Sequence, residues 1–249
     1  MKKLLIAVPL TLIAVLVAGV ATWWFVIRSD ASPLEDPLPI PTWLLNTSST
    51  PTPAITEPGM TFDPTPAAGA GQTWTIVPPS EADYYVGETL ASIGVPSTAN
   101  GKTSDISGTF FLTADGTALD TSQTSSFTVD VTSLQSDEDR RDNRVQQALE
   151  TGQFPTATFT ATSIDGLDAS SIADGATVTF NVNGSLELHG VTREVTWTVE
   201  GTRQQNVISA IANLDFLFAD YDISPPQIGG FVSVQDHGTL QAVIIAQRS

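Results

Sequence analysis

The chain has 249 residues, 27 acidic against 10 basic side chains, a net charge of −17 and no cysteine. Such an excess of negative charge repels a phosphate backbone and argues against a nucleic-acid partner. Without cysteine there is no disulfide, thiolate nucleophile, cysteine-ligated zinc, iron–sulfur cluster or lipidated cysteine behind the N-terminal apolar run.

At the N-terminus, Met1-Lys2-Lys3 precede a largely apolar run from Leu4 to Ile27. As a helix that run measures roughly 36 Å, enough to cross the hydrocarbon core of a bilayer. Lys2 and Lys3 predict a cytoplasmic N-terminus, with Trp23 and Trp24 at the far interface. Residues 1–28 therefore read as a single-pass transmembrane anchor that leaves the rest of the chain extracytoplasmic. The alternative is a signal peptide cleaved near Gly19-Val20-Ala21, which gives a secreted protein.

Residues 29–72 hold nine of the sixteen prolines and show no hydrophobic period. A segment of this kind buries too little apolar surface to offset the entropy of ordering it, which predicts a disordered spacer with extended polyproline pieces. Trp43-Leu44-Leu45 is its one apolar knot.

From residue 73 to Ser249 the texture becomes that of short strands. Strict alternation places Phe127, Val129 and Val131 on one face, and does the same for Phe180 with Val182, Leu186 with Leu188, and Val195 with Trp197 and Val199. Trp74–Val77, Ala82–Val86, Ile106–Thr113, Ala157–Ile164, Val207–Phe218 and Thr239–Gln247 complete the expected strands. Gly87–Gly94 reads as a loop or short helix, and Asn100-Gly101-Lys102-Thr103 as a polar loop. His189-Gly190 sits between two alternating runs, a hairpin-turn pattern. Some ten strands with short turns predict an all-β domain, an antiparallel barrel or a sandwich.

One helix interrupts the strands. Ser136 is the expected N-cap, Asp137, Glu138 and Asp139 suit a first turn, Val145 and Leu149 form a narrow apolar stripe, and Gly152 and Pro155 end it. Arg140, Arg141 and Arg144 are the chain's one basic cluster. They read as surface ion pairs with neighbouring acids, or as contacts to a lipid head group at a barrel mouth.

Little in the domain suggests catalysis. His189 and His237 lack the spacing that puts two imidazoles on one ion. There is no nucleophile elbow, Lys102 sits in a polar stretch, and Asp137 with Asp139 suits helix capping better than acid–base work. The expectation is a non-enzyme without metal or cofactor. The inward apolar set fits either a filled core or a ligand cavity.

Phe127–Phe159 (FTVDVTSLQSDEDRRDNRVQQALETGQFPTATF) and Gly184–Val199 (GSLELHGVTREVTWTV) resemble the YceI-like family of exported lipid-binding barrels. The resemblance rests on Arg141-Asp142, then Phe154-Pro155-Thr156 and Phe159, then Gly184 through Val195. Trp74 and Gly108-Thr109-Phe110 fit its opening, and it covers Trp74 to Ala246. The early histidine of many members has no counterpart in Ser80–Val86. The resemblance implies a lipocalin-like barrel over residues 73–249 whose interior holds a long isoprenoid-like chain. The lining expected is Phe127, Val129, Phe159, Phe180, Val182, Leu186, Leu188, Trp197, Phe216 and Phe218. Arg141, Val145 and Leu149 are expected at the mouth or lid. Together with the anchor read from Leu4–Ile27, the expectation is a membrane-anchored, extracytoplasmic lipid binder. The rival is a structural β-domain on a stalk that binds an envelope partner; the sequence names no protein partner.

Overall fold

The computed structural model describes residues 32–45, 71–90, 95–169, 173–225 and 232–249. The expected anchor at Leu4–Ile27 lies outside them, as do 46–70 of the expected spacer. Among the described residues no helix is long and apolar enough to cross a membrane.

Among the described residues nine antiparallel strands form one sheet: β1 (Gln72–Leu90), β2 (Val95–Thr103), β3 (Ile106–Leu112), β4 (Ser126–Asp130), β5 (Thr156–Asp165), β6 (Thr177–Leu188), β7 (Val191–Gln204), β8 (Val207–Leu217) and β9 (Val232–Arg248). Strand β1 pairs with β9 along nearly its whole length, which closes the sheet into a barrel. Its other edge meets β3 near its start and β2 further along. Strands β2 and β3 therefore share one place in the wall, and the circuit is an eight-stranded closed barrel. Closure removes the unpaired edges that a β-sheet otherwise presents.

Alternation sets the register. Phe180 faces Val199 and Val182 faces Trp197 across β6 and β7, so one period-2 pattern reinforces the other. The two runs expected around Thr177–Val182 and Ser185–His189 are one continuous strand, β6, because Asn183-Gly184 keeps its pairing with Val195-Thr196. Likewise Trp74–Val77 and Ala82–Val86 are parts of one strand. Its register shifts at Pro78-Pro79, joined by a cis peptide bond. Prolines offer no N–H there, and the buried Ser80 compensates: its Oγ accepts from Ile245 N–H at 2.9 Å and donates to the Val77 carbonyl at 2.7 Å.

Two local expectations are corrected. The polar stretch around Lys102 is strand β2, paired with β1, and the Lys102 ammonium meets Glu81 at 3.0 Å. Strand β1 itself continues through Leu90, where a loop or helix was expected; residues 91–94 lie outside the described set.

The helix α2 (Asp139–Ala148) sits between β4 and β5 and is shorter than expected. Glu138, not Ser136, is its N-cap residue, and it makes no side-chain cap bond. Ser136 is tied from within the helix, since Asp142 Oδ1 accepts from both its N–H (2.9 Å) and its hydroxyl (2.5 Å). Arg141 pairs with Asp137. The Arg141-Asp142 pair thus fastens the approach to the helix. At the other end Glu150 takes the left-handed conformation expected of Gly152, with φ 47°.

Residues 32–45, within the expected spacer, lie along the outer wall of β8 and β9. The Leu34 backbone bonds Gln241, the Leu38 carbonyl accepts from Ser209 Oγ at 2.6 Å, and a single-turn helix α1 (Thr42–Leu45) follows. Leu44, 2% exposed, packs with Val207 and Ile245, while Trp43 is 59% exposed. The apolar knot is therefore divided: Leu44 docks and Trp43 faces out. No hydrophobic period is needed, because an extended proline-rich segment leaves its backbone groups free for wall side chains.

Candidate functional site

The inward faces of the strands do not fill the barrel. An upper cavity of about 420 Å³ lies beneath α2, and a lower one of about 170 Å³ lies toward the other end. Phe127, Val129, Leu186, Leu188, Trp197, Phe216 and Phe218 line the upper cavity. Phe159, Phe180 and Val182 line the lower one, which Phe127 and Trp197 also reach. Every residue expected in the interior thus borders one of the two chambers.

The walls differ in size around the circuit. On β4, β5 and β7, Phe127, Phe159 and Trp197 form a closed triangle with ring centroids 5.5, 5.9 and 6.0 Å apart. On β8 and β9 the inward residues include Ala210, Ala212, Ala242 and Ala246. Bulky residues on one side and alanines on the other leave space along the alanine side.

Helix α2 roofs the upper chamber. Val145 and Leu149, the expected docking stripe, face it with Ala148 and pack against the core cluster. Arg140, Arg141, Arg144 and Glu138 border it at the same end, beside Glu88 of β1. The mouth is therefore charged and the chamber below it apolar. Burial raises the Glu88 carboxyl above its usual range, partly offset by the Arg141 guanidinium. Burial also raises the Tyr84 phenol, so this chamber-lining hydroxyl stays protonated at any physiological pH. Tyr84, Glu88, Ile223, Val234 and Leu240 border the chamber although alternation alone did not single them out. The period-2 run Tyr84, Val86, Glu88 carried the signal for two of them, masked by the charge on Glu88.

The scattered motifs meet at one end of the barrel. His189 and Gly190 take φ 53° and 72°, the two left-handed positions of a tight hairpin. The His189 ring lies edge-on to Phe154 at 5.0 Å, and its Nδ1–H donates to the Tyr221 carbonyl at 2.9 Å. Arg193 Nε donates to the neighbouring Asp220 carbonyl at 2.8 Å. These bonds hold the 3₁₀ turn Phe218–Tyr221, which places Phe218 on the upper chamber. His189 thus serves as turn and clamp. His237 is exposed beside Asp236. Among the described residues no cluster of three or more His, Asp or Glu side chains is arranged to hold a metal.

No functionally curated protein matches the chain. Among solved structures it is similar to a polyisoprenoid-binding domain from Saccharophagus degradans implicated in plant cell wall breakdown, at 18% identity and a TM-score of 0.53, covering 71% of this chain and 98% of that one. Burkholderia cenocepacia BcnA is similar at 17% identity and a TM-score of 0.47, covering 68% and 96%. The Campylobacter jejuni YCEI protein is similar at 14% identity and a TM-score of 0.39, covering 51% and 72%. The model of the YceI-like domain matches residues 74–246, the whole span from the opening tryptophan to the last inward alanine, and the chain belongs to that family.

Proposed function

We propose that this protein is a membrane-anchored, extracytoplasmic lipid binder that holds an isoprenoid-like apolar chain inside its barrel and catalyses no reaction. The observation that carries the reading is the upper chamber: about 420 Å³ of space with apolar walls, a charged mouth and an amphipathic helix as its roof. A polar ligand in such walls would lose hydrogen bonds to water without replacement. An apolar chain gains about 0.8 kcal/mol per methylene buried, so a dozen groups contribute about 10 kcal/mol, comparable to the cost of association. The S. degradans domain that shares the fold is described as polyisoprenoid-binding, which favours the same ligand class here. The run Leu4–Ile27 supplies the anchor in this reading, with the domain outside the cytoplasm.

The test is to purify the full chain, extract it with organic solvent and identify the extract by mass spectrometry. A stoichiometric apolar lipid is the expected result. Repeated extracts without lipid, from protein that also fails to take up added prenols, would overturn the reading.

A further inference from the structure

Residues 32–45 form a strap on the outer wall, and the strap has a direction. Leu34 is held at Gln241, and Leu38 at Ser209, which pairs with Ile245. Leu34 to Leu38 spans as many residues as Gln241 to Ile245, so the strap keeps step with β9. Beyond them Leu44 reaches Val207 and Ile245, near the end of the barrel away from the mouth. Ahead of Leu34 the strap therefore heads for the opposite end, where Leu217 pairs with His237. That is the mouth end, because Phe218 and Val234 beside it line the upper chamber. We propose that the barrel rests mouth-down on the bilayer leaflet that holds its own anchor, so that the upper chamber opens onto lipid and not onto water. The inference rests on the anchor assigned above to Leu4–Ile27 and deepens that reading.

The length of chain sets the approach. Leu34 follows Ile27 by seven residues, which reach at most about 24 Å when extended. From the level of Gln241 to the strand end at His237 is about 13 Å. The gap left between the strand ends and the bilayer is therefore at most about 10 Å, the width of one helix. Helix α2, the roof of the upper chamber, lies at this end and fills such a gap. The opposite pose is out of reach. Ser32 lies on the mouth side of Leu34, and the five residues from Ile27 to Ser32 extend at most about 18 Å. The far strand ends at Val207 and Gln247 lie more than about 20 Å from that level.

The mouth end also presents groups that suit a leaflet. Leu217, the last residue of β8, is 49% exposed. Arg140 and Arg144 border the mouth, and among the described residues neither forms a salt bridge. A guanidinium in that position meets lipid phosphate readily. The far end exposes an aromatic ring of its own, Trp43, so exposure alone does not choose between the ends. The tether does.

The chain has no cysteine, so one introduced thiol carries a unique label. Leu217→Cys and Trp43→Cys mark the two ends, which lie about 30 Å apart along the strands. Each full-length variant is labelled with a donor fluorophore and reconstituted into phosphatidylcholine vesicles that carry a trace of rhodamine-labelled lipid. The expected result is energy transfer several-fold greater from position 217 than from position 43. Thermal melting checks that each variant folds. His237→Cys at the mouth end and Thr177→Cys at the far end, both exposed, replace a variant that does not. Flotation of the vesicles distinguishes the two ways to fail. Chain that does not float with the lipid would sink the anchor reading, and the pose with it. Chain that floats but transfers from position 43 as well as from position 217 would overturn the mouth-down pose and leave the anchor standing.

Discussion

Gln241 grips the backbone of Leu34 from both sides: its Nε2–H donates to the Leu34 carbonyl at 3.0 Å, and its Oε1 accepts the Leu34 N–H at 3.0 Å. A second Nε2–H donates to Asn213 Oδ1 at 2.8 Å, so the amide, 1% exposed, has its orientation fixed by three partners. Gln241→Ala should destabilise the protein by about 1–3 kcal/mol, because buried partners lose their bonds. Limited proteolysis should cleave this strap, residues 32–45, faster in the variant, whereas equal cleavage would mean that Leu44 and the Ser209–Leu38 bond hold it without Gln241.

The outer wall also carries a pH dependence. Asp83 is buried on β1, and burial, helped by the charge of Glu81 and opposed by Lys102, raises its carboxyl from 3.8 to about 6. A raised folded-state value means that the folded chain holds the proton longer than the unfolded chain. Stability is therefore highest below pH 3.8 as far as this group is concerned, falls as pH rises from 3.8 to about 6, and stays lower above. After solvent screening the loss is about 1–2 kcal/mol. Asp83→Asn should be more stable than the parent at pH 7 and no more stable at pH 3.5. Urea midpoints at the two pH values check this, and parallel curves would contradict it.

The roof gives a third expectation. Val145 and Leu149 face the upper chamber, whereas Asp137 and Asp139 lie at the start of α2. Replacing Val145 and Leu149 together by Asp should cut retention of a bound prenol about tenfold or more, since charges then face the apolar cavity. Replacing Asp137 and Asp139 together by Asn should change retention little. Off-rates compared in one displacement assay separate the two, and equal rates would remove the roof role of α2.

The hairpin clamp gives a fourth. At Gly190 the φ is 72°, and a Cβ would meet the Phe154 ring at 2.4 Å. Gly190→Ala should therefore cost about 1–3 kcal/mol through backbone strain and displacement of Phe154. His189→Ala should lower stability by about 1–2 kcal/mol, because the Tyr221 carbonyl loses its donor. Thermal denaturation of both variants measures this, and an unchanged Gly190→Ala midpoint would mean the ring moves freely.

How much of this was legible depends on where the cause lies. Strands β6 and β7 could be read because Phe180, Val182, Trp197 and Val199 alternate, and alternation is local. Strand β2 could not: VPSTANGKT has no apolar period, and its pairing is imposed by the free edge of β1. The strap was equally hidden, since Leu34 and Leu38 are held by Gln241 and Ser209, which lie 207 and 171 residues away in sequence. For the site, inward phenylalanines and Trp197 announced an apolar interior. Whether that interior was filled depended on the alanines of β8 and β9, which look the same in a packed core as beside a cavity. The Arg141-Asp142, Phe154-Pro155 and His189-Gly190 pieces were visible as a pattern, but their joint task of holding the helix approach and the turn at Tyr221 emerges only where they touch.

The central claim is that an apolar chain lies inside the upper chamber. A prenol carrying a photoactivatable diazirine near its tail, bound to the full chain and irradiated, reports its neighbours when the labelled peptides are sequenced by mass spectrometry. A chain inside the chamber gives adducts on upper-chamber residues such as Val129, Leu186, Leu188 and Phe218, and those adducts are lost when unlabelled farnesol is in excess. Adducts confined to the outer wall, or labelling that excess farnesol does not suppress, would contradict it.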